Sequence, residues 1–155
     1  MVTIDEIPIW AHRAILVILY LNKGEISKQK LNELLYLIYK ELENSNLSED
    51  LDFYINMKTK EIEVFTPDKD ASIDNIIQNM VLDGLINDCN DRVCLTEYGY
   101  KAAKAIMNDP EFKDEVEITI KVTAQYKDMS EEGLINLILE NLKHTLQKKY
   151  RTLHL

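Results

Sequence analysis

The sequence predicts a mainly α chain with small β hairpins, an α+β fold, and three observations carry that expectation. Between Ile73 and Thr96 the segment IDNIIQNMVLDGLINDCNDRVCLT runs as a helix, a glycine stop and a short two-stranded ribbon. Leu31, Leu34, Leu35, Ile38 and Leu42 recur at the spacing that puts side chains on one face of a helix of roughly 3.6 residues per turn. From Leu51 the period drops to two: Leu51, Phe53, Ile55 and Met57 alternate, Lys58 to Lys60 are polar, and Ile62 and Val64 alternate again, as in a hairpin. With 155 residues, 46% apolar and 29% charged, the chain suits one globular unit with its own core.

Taken in order, Pro8 suits the first turn of a helix that Ile9 to Leu21 continues until Asn22, Lys23 and Gly24 stop it. Its centre, Ala14 to Leu21, is apolar throughout, yet so short a helix reaches about 12 Å against roughly 30 Å of hydrocarbon. It cannot span a membrane and is expected to be buried on most sides, or partly against a second subunit. Asp5 and Glu6 stand where a secretory signal carries positive charge, so a cytoplasmic location is expected. Glu25 and Ile26 bridge to Ser27, which caps the leucine-striped helix, and Asn44, Ser45 and Asn46 end it.

Pro67 closes the second strand of the hairpin, and Asp68 to Ser72 offers caps for the next helix. Ile73, Ile76, Ile77, Met80 and Val81 form that helix's apolar stripe, Gly84 takes the place of a left-handed stop, and Leu85 is set to fold back on the last turn. Leu85 and Ile86 begin the ribbon, Asn87 to Asp91 holds the turn-formers, and Val93 and Leu95 return. Thr96 and Glu97 open a helix carrying Ala102, Ala103, Ile106 and Met107, which Asn108, Asp109 and Pro110 terminate. Val116 to Tyr126 fits two periods, since its β-branched residues alternate like a strand while Phe112, Val116, Ile120 and Thr123 keep helical spacing. Helix is expected, because a strand here has no partner nearby in sequence. Ser130, Glu131 and Glu132 start a long last helix, in which Ile135, Leu139, Leu142, Leu146 and Tyr150 outline a stripe suited to core packing or to a dimer interface.

A helix running into a ribbon and then another helix is the second half of a winged helix-turn-helix. Residues 1–110 are therefore expected to form a winged-helix domain with a β-hairpin insertion at about 51–66. Residues 111–155 are expected as a C-terminal helical extension, packed on that domain or used for dimerisation.

Lys30-Leu31-Asn32-Glu33-Leu34-Leu35-Tyr36-Leu37 resembles the K-L-x-K-L-L-Y-L helix of the Panacea (SocA-like) antitoxin domain and its uncharacterised prokaryotic winged-helix relatives. In the same order, Met80 to Ile86 resembles that family's helix end with its L-G-L-I turn, and Leu95 to Lys101 resembles its L-T-x-x-G helix start. Two departures stand out: Thr66-Pro67-Asp68 replaces the family's G-P-Y-S segment, and Glu33 replaces the lysine before the paired leucines. The resemblance implies a winged-helix regulator or a protein-binding relative of one, and it brings no catalytic residue.

The formal net charge of -9 argues against general affinity for phosphate backbones, so DNA contact requires a local patch. With the apolar stripe of the third helix inward, Ser72, Asn75, Gln78 and Asn79 face out as candidate base readers, alongside Asp74 and Asp83, which repel phosphate. Arg92 in the ribbon and Lys143, Lys148, Lys149 and Arg151 near the C-terminus complete the candidate nucleic-acid set. A basic helix end is also what the helix dipole favours by itself. Two cysteines are too few for a disulfide framework, and Cys89 and Cys94 are expected to stay reduced, although a ribbon turning through the residues between them sterically allows a bridge. His12 and His144 lie too far apart in sequence to form a metal pair on one helix turn, and no nucleotide-cradling, zinc-protease or nucleophile-elbow motif occurs. No enzyme, cofactor, metal or small-molecule substrate is expected. The expected function is a winged-helix regulatory binding protein, first of all a homodimeric DNA-binding transcriptional regulator. The alternative is a protein–protein interaction module, antitoxin-like or adaptor, that does not bind DNA.

Overall fold

A computed structural model describes residues 10–47, 52–56, 58–65 and 72–153, with side chains at 10–47, 53–56, 58–64 and 72–144. The chain runs α1 (Trp10–Leu21), β1 (Glu25–Ser27), α2 (Lys28–Asn44), β2 (Asp52–Asn56), β3 (Glu61–Phe65), α3 (Ile73–Leu82), β4 (Ile86–Cys89), β5 (Arg92–Leu95), α4 (Glu97–Met107), α5 (Lys113–Tyr126) and α6 (Glu131–Leu153). It is mainly helical, with small antiparallel β elements. Pro8, Ile9, Leu51, Met57 and the Thr66 to Asp68 departure lie outside the described residues.

Helix α1 owes its place to its apolar run. Ala14 to Leu19 are all buried, enclosed by α2, α4 and α5 of the same chain, so no second subunit is required to cover them. Arg13 is buried with them because its guanidinium meets the Glu115 carboxylate of α5 and stacks 4.3 Å from the Phe112 ring centroid. Helix α2 starts where Ser27 accepts from the Lys30 backbone amide, and all five residues of its leucine stripe are buried. Ambiguous by period alone, Lys113–Tyr126 is a helix, and α5 lays Val116 and Val122 into the core. Leu134, Ile135 and Ile138 of α6 join the same core, so the C-terminal extension packs on the rest of the chain.

Two antiparallel elements sit around the helices. β2 and β3 pair as a hairpin with Phe53 opposite Val64 and Ile55 opposite Ile62, and its Phe53 ring lies 5.1 Å from Tyr36 and from Tyr39 of α2. The second element has three strands, in order β1-β5-β4. Glu25 to Ser27, expected only as a bridge, is a strand, with Ile26 opposite Val93. A three-residue strand has no internal period to reveal it; it exists because β5 offers it an edge. Asn90 opens the β4–β5 turn at φ +72°, the left-handed value that primed two-residue hairpins require.

The end of α3 ties these pieces together. Gly84 adopts φ +77°, its amide donates to the Val81 carbonyl at 3.0 Å, and the Leu85 amide reaches back to Met80 at 3.0 Å, the Schellman closure. The Thr96 hydroxyl donates to the Gly84 carbonyl at 2.6 Å and accepts from the Gly99 amide at 2.9 Å, so one side chain locks the α3 stop to the α4 start. Gly99 is obligatory, since a Cβ there would sit 1.9 Å from the Leu85 carbonyl oxygen.

Candidate interaction surface

Helix α3 buries Ile73, Ile76, Ile77 and Met80 and turns Asp74, Asn75, Gln78, Asn79, Leu82 and Asp83 to solvent, with Ser72 half-buried at its cap. Ser72 accepts from the Asn75 amide at 3.3 Å, which is the side-chain cap of this helix. Leu82 is 83% exposed. It follows Ile73 by nine positions, and at about 100° per residue that places it half a turn from the buried stripe.

The β4–β5 ribbon stands beside this face and is joined to it by Asp88. Its carboxylate accepts from Gln78 of α3 at 3.1 Å, pairs with the Lys28 ammonium at 2.9 Å and accepts from the Asn90 amide at 3.1 Å. The Lys28 hydrogen bond is the largest influence holding the Asp88 carboxyl below its ordinary range. Arg92, on the ribbon's other strand, donates to Glu25 of β1 at 3.2 Å. Lys30, further along α2 than Lys28, donates to the Lys127 carbonyl at 2.7 Å.

The electrostatic character of the surface follows. From Ser72 to Asp91 the chain contains no Lys, Arg or His, while Asp74, Asp83, Asp88 and Asp91 all lie within it. The adjacent cations Lys28 and Arg92 are both engaged by carboxylates. Close by on α1, His12 is half-buried; burial is the main cause that lowers its pKa, and the nearby Asp83 carboxylate opposes that.

The candidate nucleic-acid residues do not come together as one set. Ser72, Asn75, Gln78, Asn79 and Arg92 gather on α3 and the ribbon, whereas Lys143 lies on α6, whose main neighbour is α2. Side chains of Lys148, Lys149 and Arg151 lie outside the described ones. In the candidate dimer stripe, Ile135 is 1% exposed and belongs to the chain's own core, which corrects its expected place on an interface. Leu139 and Leu142 are half-buried against that core, and the side chains of Leu146 and Tyr150 lie outside the described ones.

Sequence reasoning missed the apolar tip Leu82 and the two ion pairs that occupy the flanking cations. The helical period held the signal for Leu82, but the ion pairs join residues far apart in the chain. Among the described residues, no group of three or more His, Cys, Asp or Glu side chains gathers as a metal site requires, and no helix is long and apolar enough to cross a membrane. No family model matches the chain, and no curated protein or solved structure was found similar to it.

Proposed function

We propose that this chain is a winged-helix protein that acts by binding another protein, and that the outward face of α3, with the adjoining ribbon, docks a basic segment of that partner. The winged-helix part of the reading is supported by the order α1-β1-α2-α3-β4-β5 and by the sheet order β1-β5-β4, with the paired β2–β3 hairpin inserted before α3. The resemblance of α2 and of the α3–α4 junction to the Panacea antitoxin domain points the same way and favours an antitoxin-like or adaptor role.

One observation carries the choice of partner. The helix in the position that winged helices commonly lay in a major groove presents carboxylates and an exposed leucine. Placing Asp74, Asp83 and Asp91 near a duplex sets like charges against phosphates, and the flanking cations Lys28 and Arg92 are already paired, with Asp88 and Glu25. The same carboxylates complement Lys and Arg, and a solvent-exposed leucine beside them supplies an apolar contact that a protein groove or side chain can cover. A DNA-binding regulator is the second reading. It rests on the exposed amides of Asn75 and Asn79, a residue type that pairs bidentately with adenine.

Parallel selections distinguish the two readings, one from a displayed random-peptide library and one from a random-sequence duplex pool at low salt. The expected result is enrichment of Lys- and Arg-rich peptides with an apolar residue, lost in a Leu82→Lys, Asp83→Lys variant, with no duplex enriched. That variant keeps the fold, because Leu82 packs on little and a cation at a helix C-cap favours the helix dipole. Enrichment of a duplex motif whose affinity falls on Asn75→Ala or Asn79→Ala contradicts the protein-binding reading.

A further inference from the structure

We propose that Cys89 and Cys94 form a reversible disulfide site, closed by exchange with a low-molecular-weight disulfide such as oxidised glutathione. The claim concerns the ribbon itself and holds whatever partner α3 binds. Both thiols are free, and their Sγ atoms lie 3.0 Å apart across the β4–β5 ribbon. A disulfide bond is about 2.05 Å long, so closure needs about 1 Å of sulfur movement.

The register explains why the two meet. Cys89 pairs with Arg92, Asn87 with Cys94, and Glu25 with Cys94. Paired residues and residues two apart along a strand share a face of a sheet, so both cysteines stand on the side opposite Ile26 and Val93. That side faces away from the core: Cys89 is exposed and Cys94 half-buried, which leaves room for a tripeptide disulfide to approach. The two thiols approach to 3.0 Å with the ladder intact, and a bond at this exposed position stays open to attack by small thiols, as readily reduced disulfides are. The geometry therefore fits a bond that forms and opens, and not a permanent staple.

The exchange balances in two steps. Cys89 thiolate attacks one sulfur of the glutathione disulfide, that bond breaks, and the departing glutathione thiolate takes up a proton. Cys94 then gives up its proton and attacks Cys89 Sγ, forming the cross-strand bond and releasing the second glutathione as a thiol. Two protein thiols are oxidised and one small disulfide is reduced to two thiols. The hydrogen bond with Cys89, then burial, then the negative charge of Cys89 and of Glu25, push the Cys94 thiol up to about 11, so Cys94 acts second. Glu25 Oε2 stands 3.9 Å from Cys94 Sγ.

The test incubates the full chain with mixtures of reduced and oxidised glutathione, quenches with acid and weighs the intact protein. Wild type is expected to lose two hydrogens and carry almost no glutathione when reduced glutathione is held at about 0.1 mM, because an effective concentration of about 1 mM for so short a connection then favours closure about tenfold over the mixed disulfide. Cys89→Ser and Cys94→Ser are each expected to stop at a single glutathione adduct, and dithiothreitol is expected to restore wild type fully. Persistent adducts on wild type, or disulfide-linked dimers in place of the lighter monomer, overturn the proposal. So does a wild type that stays reduced under conditions that modify either single variant.

Discussion

Replacing Glu33 by Gln isolates the energy of one buried carboxyl. Glu33 is 0% exposed in the middle of α2; Oε2 accepts weakly from Gln29 at 3.5 Å, and Oε1 has no hydrogen-bond partner among the described residues. Burial, reinforced by the Glu131 carboxylate, raises its pKa from 4.5 to about 8, while the Gln29 hydrogen bond and Lys30 oppose the shift. The folded chain therefore holds this proton more tightly than the unfolded chain does. Its contribution to stability is fully present below pH about 4.5 and is lost as pH rises through about 8. At about 1.36 kcal/mol per unit, the loss is about 3 kcal/mol by pH 7 and about 5 kcal/mol above pH 8, an upper limit that water entry reduces. A glutamine in its place stays neutral and is nearly isosteric, so Glu33→Gln is expected to match wild type near pH 4.5 and to exceed it by a few kcal/mol at pH 8.5. Urea unfolding of both proteins across that range measures the difference, with every other titrating group common to the two. Parallel stability curves would refute the assignment of a buried, protonated Glu33.

Other substitutions test the packing that positions α3. Gly99→Ala drives a methyl into the Leu85 carbonyl, so a loss of about 3 kcal/mol in urea unfolding is expected. Gly84→Ala forces a Cβ into the left-handed region and is expected to cost about 1 kcal/mol by the same measurement. Glu115→Leu removes the carboxylate that pairs with a nearly buried guanidinium and is expected to cost about 3 kcal/mol, while the double variant Arg13→Met, Glu115→Leu recovers most of it. A double variant as unstable as Glu115→Leu alone contradicts the view that the cost is that of a nearly buried cation deprived of its carboxylate.

Helix α3, its glycine stop, the ribbon and the Thr96 cap were legible because each rests on neighbours within a few residues. An apolar stripe, a left-handed glycine and a hydroxyl three positions before an amide are all local signals, and each sits where its spacing puts it. The outward polar residues Asp74, Asn75, Gln78, Asn79 and Asp83 were legible for the same reason, and Leu82 was overlooked although the same period places it there. β1 was not, because its partner β5 lies 67 positions away and three residues hold no period. The Arg13–Glu115 pair spans 102 positions, and a charged residue beside an apolar run reads as surface until its partner is seen. Glu33 was noticed only as a departure from a motif; its burial comes from packing around α2, which no local pattern encodes. In the last helix, one apolar spacing serves equally for a core and for an interface, and Ile135 shows that the core claims at least part of it.

Amide chemical shifts of the isotopically labelled chain locate the binding face most directly. In separate titrations with an Arg-rich amphipathic peptide and with a mixed-sequence DNA duplex, the peptide is expected to move Asp74, Asn75, Asn79, Leu82 and Asp83 and the duplex to leave them in place. A duplex that shifts those five residues, with the peptide leaving them unmoved, contradicts a protein-binding role for this face.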